Sequence, residues 1–492
     1  MNKKSVLNRV VSFVTITVLV FTFFVAVPLA GSAVNHGSEY SSFAETVYTS
    51  DGFDYTVQNN QATIIGYTPS GDSIVFPDKI GAANYPVIRI ADNFYTKPED
   101  KRESIKSISI PDSVTSIGSG AFSFCFSLEN VSISSKLKTL GDAAFFYCGA
   151  LKSILIPSGI TSIGQNTFSC AGLESITIGK EIKSIGECAF YGCALTTITI
   201  PSNVKSIGLA AFSDQIGKST GGAGGLKTII IENGVEKIEE SAFNGHKATS
   251  ITIPDSIKSL GECSFSGSKL KKVKVGKGVK KGLASAFFYC ISLDSIKVNA
   301  KNTKYKVEKG VLFSKDKKSL LLYPGGKASG KYTIPKSVTS IGKLAFNNSK
   351  KLKSIKIPGS VKSIGTYAFI SSGINGLKIP KNVKKIGSAA FSGSKINSIT
   401  IPGKVKKING GMFIGCESLK TVVFKEGVKS IGSGTFYGCK SLKTVTIPRS
   451  VKIIYCETNI FEDDNKKAII KCHKNSYAHK HAKKNKIKFK LL

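Results

Sequence analysis

The sequence lacks tryptophan altogether and contains only 2 methionines and 5 histidines among 492 residues. With so few histidines, a catalytic acid–base site or a metal site that uses several imidazole groups is not expected. Carboxylates are absent from the 100 residues between Asp316 and Glu417, so this stretch cannot supply the carboxylate pair of a glycosidase. The glycine-rich segment 217–225 does not end in Gly-Lys-Ser or Gly-Lys-Thr, which argues against a phosphate-binding loop.

The histidines themselves form no convincing site. His246 lies in the turn-like sequence Asn-Gly-His-Lys. Cys472, His473, His479 and His481 could be combined as metal ligands, but residues two apart on a helix do not share a face. No Cys-x-x-Cys pair accompanies them. We therefore predict no catalytic, cofactor-binding or metal site.

A long apolar run occurs at the N-terminus. Lys3 and Lys4 precede the mostly apolar segment 10–27, and small residues follow at 30–33. This order is typical of a cleaved signal peptide, which we assign to 1–33. The run is also near the lower limit for a membrane span, so an uncleaved anchor is the alternative. After cleavage we expect no membrane span, and a protein that is secreted or held at a bacterial cell surface.

Phenylalanine recurs through the rest of the chain, mostly every 22 or 23 residues. Two longer gaps, 212–243 and 287–346, interrupt the period. A fixed period of this length indicates a repeat architecture in which each unit buries its apolar side against its neighbours. The recurring residues are Phe122, Phe145, Phe168, Phe190, Phe212, Phe243, Phe265, Phe287, Phe346, Phe369, Phe391, Phe413, Phe436 and Phe461.

The repeat beginning at Leu352 shows how one unit should fold. Ile355 and Ile357 alternate with Lys356, which predicts a short strand with the isoleucines inward and the lysine outward. Pro358 should end that strand, because proline has no N–H for the ladder.

A second short extended segment should then return to the core through Val361 and Ile364. Gly365 follows, and we expect it to adopt positive φ in a turn. Ten repeats carry glycine at this position and Asn409 fills it in an eleventh. Phe369 closes the unit.

The pattern Ile-Pro-x-x-Val-x-x-Ile-Gly-x-x-Ala-Phe, with nine copies led by Ile-Pro, resembles the BspA-like leucine-rich repeat family of surface proteins. The resemblance covers roughly 104–461. Proline stands where the common leucine-rich repeat has its asparagine ladder, so we expect the BspA-like variant. The resemblance implies adhesion to host matrix proteins or bacterial coaggregation.

We accordingly predict a β-rich repeat solenoid of the leucine-rich-repeat type, with short strands, turns and few helices, capped at both ends. The predicted parts are an N-terminal β cap at 34–103, repeats at 104–298, a variant hairpin repeat at 299–336, strongly basic repeats at 337–461 and a C-terminal cap at 462–492.

Outward-facing strand residues should form an extended binding surface, because solenoids present such surfaces. The candidates are Ser109, Ser132, Thr177, Thr199, Thr252, Lys356 and Thr400.

Positive charge is concentrated in the second half. Residues 301–492 contain 41 Lys and Arg against 8 Asp and Glu. Lysine follows the core Val of the second segment in five consecutive repeats, and such a column would repel itself unless a polyanion neutralised it. A merely solvated face is the alternative. No base-reading motif favours nucleic acid. The column comprises Lys362, Lys384, Lys406, Lys429 and Lys452.

Six of the 11 cysteines lie three residues after the repeat phenylalanine, where other repeats have serine. A position that exchanges Cys with Ser favours small, packed thiols. Disulfides between adjacent repeats, Cys125–Cys148 and Cys416–Cys439, are the alternative.

The sequence thus predicts a non-enzymatic, adhesin-like binding protein without a cofactor, whose partner is a host protein, mucin or another macromolecule. The alternative is a structural protein of the cell wall, held to anionic wall polymers by its basic C-terminal half.

Overall fold

A computed structural model describes residues 46–96, 99–214, 225–456, 460–461 and 467–492. The predicted signal peptide at 1–33 lies outside the described residues. The chain divides into two compact units. We call Pro28–Leu270 with Val275–Phe287 the N-terminal unit, and Lys271–Lys274 with Phe288–Leu492 the C-terminal unit. No helix within the described ranges is long and apolar enough to cross a membrane.

The N-terminal unit begins with an antiparallel meander of β1, β2 and β3. Asn59 and Asn60 join β2 to β3, both with positive φ, as a two-residue hairpin turn requires. β3 then pairs in parallel with β6, which starts the solenoid ladder. The strands are β1 (Tyr48–Ser50), β2 (Phe53–Gln58), β3 (Gln61–Tyr67), β4 (Ser73–Val75), β5 (Lys79–Ile80) and β6 (Tyr85–Thr96), followed by a 3-10 helix (Glu99–Ser104).

Most of the following coils contain two short segments that pair in parallel with the equivalent segments of neighbouring coils. The first segment forms what we call the strand face, and the second forms a lateral ladder. The strands are β7 (Ser107–Ser109), β8 (Ser116–Ile117), β9 (Asn130–Ser132), β10 (Thr139–Leu140), β11 (Ser162–Ile163), β12 (Ser184–Ile185), β13 (Thr197–Ile200), β14 (Ser206–Ile207), β15 (Thr228–Ile231), β16 (Lys237–Ile238), β17 (Ser250–Ile253), β18 (Ser259–Leu260) and β19 (Lys272–Val275), with a 3-10 helix at Ser285–Phe287.

The C-terminal unit repeats this plan. Its strand face is an eight-stranded sheet, and its lateral ladder starts from the predicted variant hairpin repeat, a three-stranded meander of β21, β22 and β23. The strands are β20 (Ser295–Val298), β21 (Tyr305–Glu308), β22 (Val311–Ser314), β23 (Ser319–Leu322), β24 (Lys331–Thr333), β25 (Ser340–Ile341), β26 (Ser354–Lys356), β27 (Ser363–Ile364), β28 (Gly376–Leu377), β29 (Lys385–Ile386), β30 (Ser398–Ile401), β31 (Lys407–Ile408), β32 (Thr421–Phe424), β33 (Ser430–Ile431), β34 (Thr444–Thr446), β35 (Ile453–Ile454), β36 (Ile469–Cys472) and β37 (Phe489–Leu491).

The C-terminal segment contains a short helix followed by a strand. The helix α1 (Tyr477–Lys484) begins after Ser476, whose side chain accepts a hydrogen bond from the backbone N–H of His479 at 3.2 Å. Such a cap satisfies one of the amides left open at a helix start. β37 then adds the last parallel strand beside β36.

The repeat phenylalanines stack along each unit, as predicted, and all fourteen are at most 4% exposed. Phe243 and Phe265 are nearly parallel, with ring centroids 5.4 Å apart. Phe212 stacks on Phe243 at 5.2 Å, although the glycine-rich insert separates them in sequence. In the C-terminal unit Tyr323 occupies the phenylalanine position of the variant repeat, a substitution that the sequence pattern did not reveal.

The expectation that Gly365 has positive φ is wrong. Its φ lies outside the left-handed region, which is instead occupied two residues later by Tyr367 at φ 55°. Glycine is needed at 365 because the chain passes close to the preceding coil, where a Cβ would lie 2.5 Å from the backbone nitrogen of Lys343. A Cβ on Gly387 would likewise lie too close to the backbone nitrogen of Thr366.

Candidate binding faces

The strand face of the N-terminal unit carries the predicted outward residues in one column. Ser109 pairs with Val75 on one side and Ser132 on the other, and Thr199 pairs with Ile230. Their side chains point outward because neighbouring residues such as Ile108 are buried.

All seven predicted strand-face residues are exposed. Thr177, however, belongs to one of two coils, at 153–155 and 175–177, whose first segment is extended without being a strand. In the C-terminal unit Lys356 pairs with Thr333, and Thr400 pairs with Val423, which pairs with Thr446.

The five lysines of the predicted column are exposed and lie along the lateral ladder. Backbone hydrogen bonds join neighbouring members: Lys384 N–H donates to Lys362 O at 2.8 Å, and Lys452 N–H donates to Lys429 O at 2.8 Å. Lys429 N–H likewise donates to Lys406 O at 2.7 Å. The column therefore consists of two hydrogen-bonded runs, Lys362–Lys384 and Lys406–Lys452, since β29 ends one sheet and β31 begins the next.

A second set of cations, which we did not predict from the sequence, lies in the turns between the two segments of each coil. Each of five turns contributes one exposed cation. The sequence signal was present, because four of these residues occupy the variable positions of Ile-Pro-x-x-Val and Lys425 occupies the proline position of its repeat. The set comprises Lys336, Lys381, Lys404, Lys425 and Arg449.

Charges in the N-terminal unit are more balanced. Lys106 Nζ lies 3.0 Å from Asp72, and Lys152 Nζ lies 3.2 Å from Glu174. The Lys106 ammonium lowers the pKa of the exposed Asp72 carboxyl. In the C-terminal unit the sequence has no Asp or Glu between Asp316 and Glu417, although Lys317 pairs with Glu308, so this surface has a net positive field that would attract anions.

The 11 cysteines are all reduced thiols. Those three residues after a phenylalanine are buried, and several donate to the phenylalanine carbonyl of the preceding coil. Cys148 Sγ lies 3.2 Å from Phe122 O, and Cys416 Sγ lies 3.0 Å from Phe391 O. Ser349 in the same position donates to its own Phe346 O at 2.8 Å. Cys and Ser exchange at this position because both are small and both can donate a hydrogen bond to a phenylalanine carbonyl.

His246, His479 and His481 are parts of the packed structure. His246 occupies the cysteine position of its coil, is fully buried, and accepts a hydrogen bond at Nδ1 from Ala248 N–H at 3.2 Å. Burial lowers its pKa to about 3, so it is neutral at ordinary pH. His479 and His481 are also buried. Within the described part of the chain, no three His, Cys, Asp or Glu side chains are grouped to hold a metal ion.

Comparison with known families matches the repeat itself. The model described as BspA type leucine-rich repeat region matches six copies, over residues 100–219, 221–314 and 328–426. The chain belongs to the BspA-type leucine-rich repeat family. Its solenoid of short strands with one helix among the described residues is the fold that we predicted.

Solved structures of similar fold come from several bacteria. A leucine-rich cell surface protein from Faecalibacterium prausnitzii is 25% identical, with 84% of this chain and 96% of that chain covered and a TM-score of 0.46. A leucine-rich repeat protein from Eubacterium ventriosum is 24% identical over 83% and 87%, with a TM-score of 0.48. The pneumococcal vaccine antigen PcpA is 18% identical over 92% and 100%, with a TM-score of 0.42. A comparison with curated proteins gave no match.

Proposed function

We propose that this BspA-type protein is exported and acts at the cell surface or after secretion as an adhesin-like, non-enzymatic binding protein. Its partner would be a macromolecule such as a host matrix protein or mucin. The observation that carries the proposal is the aligned strand face, on which Ser109, Ser132 and Thr199 are exposed in register with neighbouring coils. The one histidine within the repeats, His246, is buried and cannot reach a substrate.

The test places lysine on the strand face of the full chain and measures binding to mucin-coated surfaces and intact host cells. Lys356 shows that this column accepts lysine, so Ser109→Lys and Thr199→Lys should fold normally. We expect at least a tenfold loss of binding. The matched control is Thr161→Lys on the lateral ladder, where Lys183 is the native residue one coil further on. Equal binding by all variants would contradict the proposal.

A second candidate function is retention on anionic wall polymers through the C-terminal unit. It is favoured by the two hydrogen-bonded lysine runs and the neighbouring turn cations, which place many positive charges on adjoining positions, with Glu426 as the single carboxylate in these turns. Electrostatic retention of this kind weakens as salt screens the charges.

The test is elution of the full chain from an anionic column. Replacing the five column lysines with serine should move elution to clearly lower salt. The control replaces five lysines at the same repeat position of the N-terminal unit, which removes equal charge from a mixed surface. Identical shifts in both variants would show that only net charge matters. The control set is Lys138, Lys183, Lys205, Lys258 and Lys280.

A further inference from the structure

Over the eight consecutive coils that end with β17, the strand face of the N-terminal unit carries no charged residue in either of its two outward columns. β19, the next strand, carries Lys272 and Lys274. Hydroxyl and amide side chains dominate both columns, and almost all of these residues are exposed. The first column is Ser73, Ser107, Asn130, Ser153, Ser175, Thr197, Thr228 and Ser250. The second is Val75, Ser109, Ser132, Leu155, Thr177, Thr199, Ile230 and Thr252.

The border of this face is electrically balanced as well. The residues that precede the first five members of the first column alternate in sign, and Lys106 pairs with Asp72 while Lys152 pairs with Glu174. The corresponding face of the C-terminal unit contains Lys331, Lys356 and Lys378. The neutral face is therefore suited to an uncharged partner, because a charged one would lose hydration there without gaining an ion pair.

Three aliphatic side chains interrupt the second column at a regular interval. Val75 is 67% exposed, Leu155 is 80% exposed and Ile230 is 49% exposed. They occupy the first, fourth and seventh coils of the column, with two small residues between successive members, such as Ser109 and Ser132. At about 4.8 Å per coil, the interval is about 14 Å.

Val75 and Leu155 line a shallow groove in this face, together with Ser109 and Ser132 of the coils between them. Glu129, which precedes the first column, is the one charged residue of its lining. β9, which carries Ser132, pairs with β7, whereas residues 153–155 on its other side form no strand. The groove thus combines apolar side chains with hydroxyl groups able to bond a peptide backbone.

The interval selects the kind of partner. An extended polypeptide rises about 3.3 Å per residue, so four residues span about 13 Å and end on the same side of the chain. A helix rises about 14 Å in nine or ten residues, which do not return to the same face. We infer that the neutral strand face binds an extended, uncharged polypeptide segment whose apolar side chains recur every fourth residue. This inference rests on the proposed strand-face function and names its partner.

The test measures binding of the full chain to fluorescent 12-residue peptides. Each contains three leucines among Ser, Thr and Gly, placed every third, every fourth or every fifth residue. The four-residue spacing should bind at least tenfold tighter than the other two, with the same affinity at low and high salt. The triple variant Val75→Ser, Leu155→Ser, Ile230→Ser should bind the peptide with the four-residue spacing at least tenfold more weakly. It should fold, because serine occupies this column at Ser109 and Ser132.

The matched control is Phe126→Ser, which removes an exposed apolar side chain in a turn after Phe122 and should leave peptide binding unchanged. Equal affinity for all three spacings, or full binding by the triple variant, would overturn the inference. So would displacement of the peptide by soluble dextran, which would identify a glycan site instead. If these peptides fail while Thr199→Lys still abolishes binding to host surfaces, this inference falls and the proposed function stands.

Discussion

Gly365 lies so close to Lys343 of the preceding coil that a Cβ atom on the glycine would approach the lysine backbone nitrogen to 2.5 Å. We therefore expect Gly365→Ala to lower the free energy of unfolding by about 1–3 kcal/mol, the usual cost of overpacking. Urea denaturation followed by circular dichroism measures the change.

The control for this substitution is Gly359→Ala. A Cβ there would meet no atom closer than Asn382 Nδ2 at 4.0 Å. Its unfolding free energy should stay the same or rise slightly, since alanine restricts the unfolded chain. If Gly359→Ala lowered the free energy of unfolding more than Gly365→Ala, the close approach between coils would not be the reason for glycine at 365.

Phe369 lies between Phe346 and Phe391, with ring centroids 5.0 and 5.5 Å away. Phe369→Ala should cost about 3–5 kcal/mol through the cavity that it leaves. Because coils contact mainly their neighbours, the loss should be local. Hydrogen exchange should accelerate most in the coils around residues 340–395 and much less in the last coils. Uniform acceleration throughout the C-terminal unit would contradict this expectation.

His246 should make the N-terminal unit sensitive to acid. Its pKa falls from 6.5 to about 3 on burial, so between these values the unfolded chain binds a proton that the folded chain does not. The contribution of neutral His246 to the free energy of unfolding is therefore fully present above pH 6.5. It decreases as the pH falls, by about 2 kcal/mol at pH 5. Thermal unfolding at pH 7.5 and pH 5 measures the loss.

Replacing His246 with serine, the residue found at 268 in the next coil, should remove this part of the pH dependence. The comparison is the difference in melting temperature between the two pH values, not the melting temperature itself. A difference as large in His246→Ser as in the native protein would assign the acid sensitivity to other groups.

The thiols should differ sharply in reactivity. Burial raises the pKa of Cys125 and of Cys416 to about 12, so little thiolate is available for alkylation. We expect iodoacetamide to modify the half-buried Cys456 first in the native protein, and the nine buried cysteines only after unfolding. Cys188 is also half-buried, but burial raises its pKa to about 11, so it should react slowly.

Peptide mass spectrometry after timed labelling identifies the modified cysteines. If all 11 cysteines are alkylated in denaturant without reductant, the cysteines three residues after the repeat phenylalanines are reduced thiols. Recovery of linked Cys125–Cys148 or Cys416–Cys439 peptides instead would support the disulfide alternative.

The sequence already revealed much of the fold, because the repeat places similar residues at similar positions. The stacked phenylalanines, the hairpin at β22 and β23 and the Ser476 cap all follow from local patterns. The reason for glycine at 365 does not follow from a local pattern, because it depends on the distance from Gly365 to the preceding coil. The serine and cysteine exchange near Cys416 was recognised, but its acceptor, Phe391 O, belongs to the coil before it.

The sequence by itself determined that this chain buries a periodic set of phenylalanines by stacking coils, and that its second half is strongly basic. Tertiary structure alone decided which residues meet across coils: that the lysine column divides into two hydrogen-bonded runs, and that Val75, Leu155 and Ile230 interrupt a neutral face at equal intervals. Such relations depend on the register between segments 20 or more residues apart in sequence. The buried apolar pattern sets the register of each coil, but it does not show where the hydrogen-bonded ladder stops, as it does between β29 and β31.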